Sequence, residues 1–106
     1  MAKKSDLSKA ARIALEYSKT LKANMKINKM YIFGSYVNGT NHIDSDIDIA
    51  VISDDFKGDC IDDGVKLMMF LKDKELIIEP HPFLPQDFNK ENPFAKEIIE
   101  TGIRLI

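Results

Sequence analysis

The stretch YIFGSYVNGTNHIDSDIDIAVI, residues 31–52, decides the fold, because two apolar runs flank a polar segment that carries alternating acids. The first run ends at Gly34, and the second begins among Asp44, Asp46 and Asp48. Alternate residues of a strand point to one face and lie roughly 7 Å apart, so these carboxylates repel one another. This pattern therefore predicts a cation that offsets the repulsion.

The two halves of this stretch supply different parts of one chemistry. An Asp-x-Asp pair suits Mg²⁺, which usually takes one or two carboxylates together with waters and substrate phosphates. Gly34 permits close approach to the backbone, and a helical turn that begins at Ser35 would offer its free N–H groups to a phosphate. A phosphate-binding turn and a metal-binding acid pair are the parts that phosphoryl or nucleotidyl transfer needs.

Three other interpretations of the acids compete with a metal pair. A bare Asp-x-Asp is most simply a solvated acidic surface beside a turn. A calcium-binding EF-hand loop also begins with D-x-D-x-D, but it requires glycine at its sixth position, where this chain has Ile49. In haloacid-dehalogenase-like phosphatases the apolar strand precedes the acids, whereas here it mainly follows them.

The composition indicates one soluble globular domain. The chain has 106 residues, of which 44% are hydrophobic and 30% charged, and its net charge of −2 argues against a broad basic face for nucleic acid. The single cysteine, Cys60, excludes an internal disulfide; we predict that it is buried and that the protein works in a reducing cytoplasm. No apolar run approaches the roughly 18 residues of a membrane span.

Periodicity predicts alternating helices and strands, which is typical of an α/β arrangement. The first helix, capped by Ser5 and ending near Met25, has an apolar stripe for the core. The remaining elements expected are a strand over Lys29–Phe33, a short helical turn between Gly34 and Gly39, a strand over Asp46–Ile52, a helix over Cys60–Leu71, a strand over Lys74–Glu79 that is stopped by prolines, a helix that starts at Asn92-Pro93 and ends at Gly102, and a short final strand.

The full pattern resembles the polymerase-β-like nucleotidyltransferase superfamily. Gly34-Ser35, ten intervening residues and then Asp46-Ile47-Asp48 reproduce its signature. The segment GSYVNGTNHIDSDIDIAV and the ending NPFAKEIIETGIRLI are similar to the minimal nucleotidyltransferases of bacteria and archaea. The resemblance implies an α/β (α+β) nucleotidyltransferase fold, in which a small mixed sheet with flanking helices forms a single minimal domain over residues 1–106.

The resemblance also implies a set of site residues. The nucleotide-binding residues are expected to be Gly34, Ser35, Asn38 and Ser45, with Asn38 standing where the family usually has arginine. The metal ligands and catalytic residues are expected to be Asp46, Asp48 and a third carboxylate on a later strand, for which Glu79 is the choice. Glu79 would help to activate the acceptor hydroxyl by binding metal or by acting as a base.

Two functions are implied by this resemblance. The first is a Mg²⁺-dependent enzyme that moves AMP, or another nucleotide, from ATP to a hydroxyl acceptor. That acceptor is expected to be a tyrosine of a small helical HEPN-type toxin, so the protein would act as its antitoxin in the cytoplasm. The alternative is a catalytically weak or inactive binding module that silences its partner by stoichiometric contact. Neither function predicts direct binding to nucleic acid or membrane, and both are compatible with an oligomer.

Overall fold

The structure is a computed structural model that describes residues 4–106. Over this range it contains four helices, four strands and two short 3-10 turns. In chain order the helices and strands are α1 (Lys4–Asn24), β1 (Lys29–Phe33), α2 (Ser35–Asn38), β2 (Ile47–Ile52), α3 (Cys60–Met68), β3 (Ile78–Phe83), α4 (Pro93–Thr101) and β4 (Ile103–Arg104). Ser5 lies inside α1 instead of preceding it, and its side chain is outside the described part of the chain.

The strands form one mixed sheet in the order β3-β2-β1-β4. Strand β1 runs antiparallel to β2 and to β4, whereas β2 and β3 are parallel. Asp48 on β2 has a register partner on each side, since Phe33 on β1 and Glu79 on β3 both pair with it. The small mixed sheet with flanking helices confirms the predicted fold class.

Strand β3 differs from its prediction, because it begins four residues later and continues through two prolines. A 3-10 turn occupies Asp73–Glu75, where the strand was expected to start. The N–H of Ser53 donates to the Phe83 carbonyl at 3.1 Å, so the backbone groups of the odd-numbered residues of β3 face β2. The backbone nitrogens of Pro80 and Pro82 have the opposite phase and face away from the sheet, which costs no ladder bond on an edge strand.

One face of the sheet is covered by α1 and α3. Ile47, Ile49 and Val51 are fully buried there, and most of the predicted α1 stripe packs with them. Leu15 is an exception, because it is 41% exposed. Tyr17 crosses this core, donates a 2.5 Å hydrogen bond to the Leu67 carbonyl and has its pKa raised by burial. This apolar layer packs against β2, which is one of the two interior strands of the sheet.

The opposite face of the sheet is covered by α4. Asn92 caps this helix as predicted, since its side chain accepts hydrogen bonds from the N–H groups of Phe94 and Ala95 at 3.1 and 3.3 Å. The buried residues on this side are Ala50, Ile52, Phe83, Phe88, Ala95 and Ile98. They fill only part of the face, and the side chains at the start of β2 lie beyond them.

Two predictions about α3 are wrong. The helix ends at Met68 instead of Leu71, and Cys60 is exposed instead of buried. Cys60 is the first helical residue and directly follows the exposed N-cap residue Asp59, and its thiol lies at the surface. Within residues 4–106, no helix is both long and apolar enough to cross a membrane.

Candidate active site

The turn between β1 and α2 requires glycine at position 34. Gly34 has φ 84° and ψ −150°, a conformation that is essentially restricted to glycine. A Cβ atom at this position would also overlap with Oδ2 of Asp48. The backbone of the turn is therefore packed directly against a carboxylate of the neighbouring strand, as the Phe33–Asp48 register requires.

Helix α2 is one turn long and follows this glycine. The N–H groups of Val37 and Asn38 donate to the Gly34 carbonyl at 3.1 and 2.9 Å. The N–H groups of Ser35 and Tyr36 precede these bonds, and the start of a helix leaves such groups for an outside acceptor. Ser35 is half-buried at this start, so its hydroxyl and the neighbouring N–H groups suit a phosphate.

Asp48, Glu79 and His81 form the cluster from which a metal site can be built. Each offers one ligand atom, and these atoms lie within 4.8 Å of one another. Asp48 and Glu79 are register partners on parallel strands, and His81 follows Glu79 by two residues on the same strand face. The Asp48 side chain is 25% exposed and that of Glu79 is 57% exposed, so the cluster opens to solvent on the β3 side.

His81 contacts both carboxylates of this cluster. Its Nε2 atom lies 3.3 Å from Oδ1 of Asp48 and 4.0 Å from Oε1 of Glu79. The imidazole also packs between two aromatic rings, with centroid distances of 5.2 Å to Phe33 and 5.6 Å to Phe94. These contacts fix the ring plane and leave Nε2 directed at the acids.

The donor set fits a divalent cation. Two carboxylates and one imidazole nitrogen are all ligand types that divalent metals accept, and their mutual spacing allows a single ion to reach them. A cation would also relieve the repulsion between the Asp48 and Glu79 carboxylates, which the strand register holds side by side.

The predicted site residues divide into two groups in the structure. Gly34, Ser35, Asp48 and Glu79 lie at the start of α2 and across the adjoining ends of β2 and β3. Asp46 precedes β2, is exposed and lies outside the cluster. Asn38 is exposed at the end of α2, and the Ser45 hydroxyl accepts a 2.8 Å hydrogen bond from the His42 N–H.

Sequence reasoning missed His81. A usable signal was present, because His81 follows Glu79 by two residues and shares its face if the strand continues. Treating Pro80 as the end of the strand removed this relation. The error in the bounds of β3 and the omission of His81 therefore have a single cause.

The fold is that of a nucleotidyltransferase-type domain, and comparison with known families agrees. The family described as "Polymerase beta, Nucleotidyltransferase" matches residues 16–106. The chain therefore belongs to the polymerase β nucleotidyltransferase family. Among curated proteins, none matches the sequence significantly.

Two solved structures are similar to this chain. A protein from Sulfolobus solfataricus, provisionally assigned as a nucleotidyltransferase, is 17% identical with a TM-score of 0.66, and the match covers 94% of this chain and 82% of that one. A chain from a crystal structure of a toxin–antitoxin with AMP-PNP is 27% identical with a TM-score of 0.58. This second match covers 84% of this chain and 68% of that one.

Proposed function

We propose that this domain transfers a nucleoside monophosphate, AMP when ATP is the donor, to a hydroxyl of a partner protein. The observation that carries this proposal is the packing of the Gly34 backbone against Asp48, which stands beside Glu79. A turn suited to phosphate and a cluster suited to metal are thus in direct contact. Family membership supports the same reaction class.

Each residue has a distinct part in the proposed reaction. Gly34 and the N–H groups at the start of α2 would hold the triphosphate. Asp48 and Glu79, joined by Asp46 from the segment before β2, would hold Mg²⁺. When bound, the metal polarises the phosphoryl oxygens and neutralises developing charge. Glu79, whose side chain is 57% exposed on β3, accepts the proton of the acceptor hydroxyl. The acceptor oxygen then bonds to the α-phosphorus, and pyrophosphate leaves.

The remaining predicted contacts are polar and peripheral. Asn38 and Ser45 flank the turn from the end of α2 and from the segment before β2. We assign them to the nucleotide, with Asn38 donating a neutral hydrogen bond where the family usually supplies a guanidinium. A neutral amide is a weaker phosphate partner than a charged group, so this position favours slow turnover.

The proposed acceptor is a tyrosine hydroxyl of a HEPN-type toxin, which would make this protein its antitoxin. The support is the likeness to a chain of a toxin–antitoxin that was crystallised with AMP-PNP. Exposed apolar side chains along one stripe of α3, namely Ile61, Val65 and Met68, provide additional surface for a protein partner.

A labelling experiment tests this proposal. The protein is incubated with Mg²⁺, the product of the adjacent reading frame, and ATP labelled at either the α- or the γ-phosphate. We expect the partner to acquire the α label and not the γ label. A partner whose target tyrosine is replaced by Phe should acquire neither label. Asp48→Asn should abolish labelling, whereas Asp44→Asn, which changes an exposed acid of the same alternation, should retain it.

The second candidate is a binding module that neutralises the partner by contact alone. The observation that favours it is the position of Asp46, which lies outside the cluster of Asp48, Glu79 and His81. A stable complex without label on the partner, unaffected by Asp48→Asn, would support this candidate and overturn the enzyme proposal.

A further inference from the structure

The strand that carries His81 places its imidazole beside the two carboxylates of the cluster. Strand β3 continues parallel to β2, so that Glu79 and His81 point to the face on which Asp48 lies. The Nε2 atom of His81 is within 4.8 Å of the ligand oxygens of both acids. The cluster is therefore a mixed oxygen and nitrogen donor set, not a purely acidic one.

The surroundings of His81 hold its imidazole in this position. Phe33 and Phe94 pack against the ring from β1 and α4, and the side chain is 25% exposed. Pro80 and Pro82 precede and follow His81, and their fixed φ angles restrict the backbone on both sides. A ligand that is held in place loses little freedom when it binds an ion, which strengthens binding.

We infer that His81 is a nitrogen ligand of the divalent ion in this site, and that the site consequently binds Mn²⁺ and Co²⁺ more tightly than Mg²⁺. Mg²⁺ strongly prefers oxygen ligands, whereas imidazole suits the first-row transition metals, whose affinities rise from Mn²⁺ to Co²⁺. The inference rests on the metal site of the proposed function, but it makes no use of nucleotide transfer.

Hydrogen bonding alone is the competing role for His81. At 3.3 Å, Nε2 is close enough to donate to Oδ1 of Asp48 and merely orient it. The substitution His81→Gln separates the two roles, because a glutamine amide can donate a similar hydrogen bond but is a poor ligand for transition metals. His42, the other histidine of the chain, is exposed in the loop before β2 and supplies the matched control His42→Gln.

Metal binding is measured by titration calorimetry with MgCl₂, MnCl₂ and CoCl₂ on the protein without nucleotide. In the wild type we expect affinity to rise from Mg²⁺ to Mn²⁺ to Co²⁺. Replacing a residue that only supports a metal ligand typically costs 10–100-fold in affinity, so loss of a direct ligand in His81→Gln should weaken Co²⁺ binding at least ~10-fold. Mg²⁺ binding should fall by a smaller factor, and His42→Gln should match the wild type.

Nuclear magnetic resonance gives an independent readout of the same ligand. With Co²⁺ bound, direct ligation should shift the ring-proton resonances of the His81 imidazole far outside the diamagnetic range, and these shifted resonances should be absent from His81→Gln and retained in His42→Gln. Equal affinity of the wild type for Mg²⁺ and Co²⁺, an unchanged Co²⁺ affinity in His81→Gln, or shifted imidazole resonances that persist in His81→Gln would each overturn the inference. Failure of the α-label transfer with intact Co²⁺ selectivity would overturn the proposed function and leave this inference standing.

Discussion

Strands β2 and β3 both contribute to the candidate site, but they are held in opposite ways. Strand β2 is central, and Ile47, Ile49 and Val51 are buried between the sheet and the helices of one side. Strand β3 is an edge strand with two prolines, and the side chain of its candidate site residue Glu79 is 57% exposed. The same sheet thus presents one carboxylate from a fixed position and another from an accessible one.

This difference matches two requirements of metal-dependent transfer. A metal ligand must keep its geometry, and a buried central strand provides that through close packing on both faces. A group that meets the acceptor must be reachable from solvent, which an edge strand allows. Substitutions at five positions in the sheet and its adjoining turn test this division, in decreasing order of the change that we expect.

The largest effect is expected for Asp48→Asn. Metal-derived charge stabilisation is worth several kcal/mol, so the initial rate of α-label transfer should fall on the order of 10³-fold or more. Glu79→Gln on the edge strand should lower the same rate by a smaller factor. Wild-type activity in Glu79→Gln would refute its role, and an equal loss in both variants would remove the distinction between the strands.

The second effect concerns the anchoring of the central strand. Ile49 is 0% exposed, and truncating a buried isoleucine to alanine typically costs about 2–5 kcal/mol. Urea denaturation of Ile49→Ala should therefore show a strongly reduced free energy of unfolding. A cost below about 0.5 kcal/mol, the level expected of a surface change, would contradict the assignment of β2 as the rigid strand.

The third effect tests the contact between the turn and β2. Gly34→Ala forces a side chain into a backbone region that costs of order 1–3 kcal/mol, and the added methyl group overlaps with Asp48. Both unfolding stability and transfer rate should decrease. The control is Gly64→Ala in α3, where a Cβ meets nothing within 4 Å and helix propensity favours alanine by up to about 1 kcal/mol. Equal stability of the two variants would disprove the predicted strain.

The smallest effect is expected for Pro80→Ala. Pro80 is the register partner of Ile49, so the two alanine substitutions compare the edge with the centre at one level of the sheet. The N–H group that alanine adds points to solvent and can bind water, so no hydrogen bond is lost. Removing proline raises the conformational entropy of the unfolded chain, which should lower the free energy of unfolding by only about 0.4–1 kcal/mol. A cost as large as that of Ile49→Ala, measured in the same urea titration, would show that β3 is as tightly held as β2.

Elements with local signals were predictable from the sequence. Strand β1 has the predicted bounds, β2 begins one residue later than predicted, and α4 starts after the predicted Asn92 cap. Each of these depends on alternation, glycine or capping within a few residues. The predicted bounds of β3 were wrong because the prolines were taken to end the strand. Proline is excluded from a central strand but tolerated in an edge strand, and the residues near β3 in the sequence do not show that it lies at the edge of the sheet.

The positions of the candidate site residues were predictable to a similar extent and for related reasons, while their roles stay predictions. The Gly34-Ser35 turn and Asp48 come from one contiguous motif, and the structure brings Glu79 beside Asp48, as expected for a third carboxylate. Alternation and the resemblance both paired Asp46 with Asp48; β2 starts at Ile47, so Asp46 lies one residue before the strand, and its part in metal binding stays a prediction. Alternation assigns residues to one face of a sheet only within a strand, and the sequence does not define the first residue of a strand to a single position.

The register of Phe33 with Asp48 has a consequence for how relatives of this protein are recognised. The pairing of Phe33 with Asp48 brings together the two ends of the segment from Gly34 to Ile47. The distance between the Gly34 turn and the Asp48 carboxylate is therefore set by the pairing of β1 with β2, and not by the number of residues in that segment. Residues 42–44 are exposed, and doubling a loop costs only about 0.6 kcal/mol. An insertion there would change the interval between Gly-Ser and Asp-x-Asp while the two still meet. A motif search keyed to a fixed interval would miss such a homologue, whereas one keyed to the strand pairing would find it.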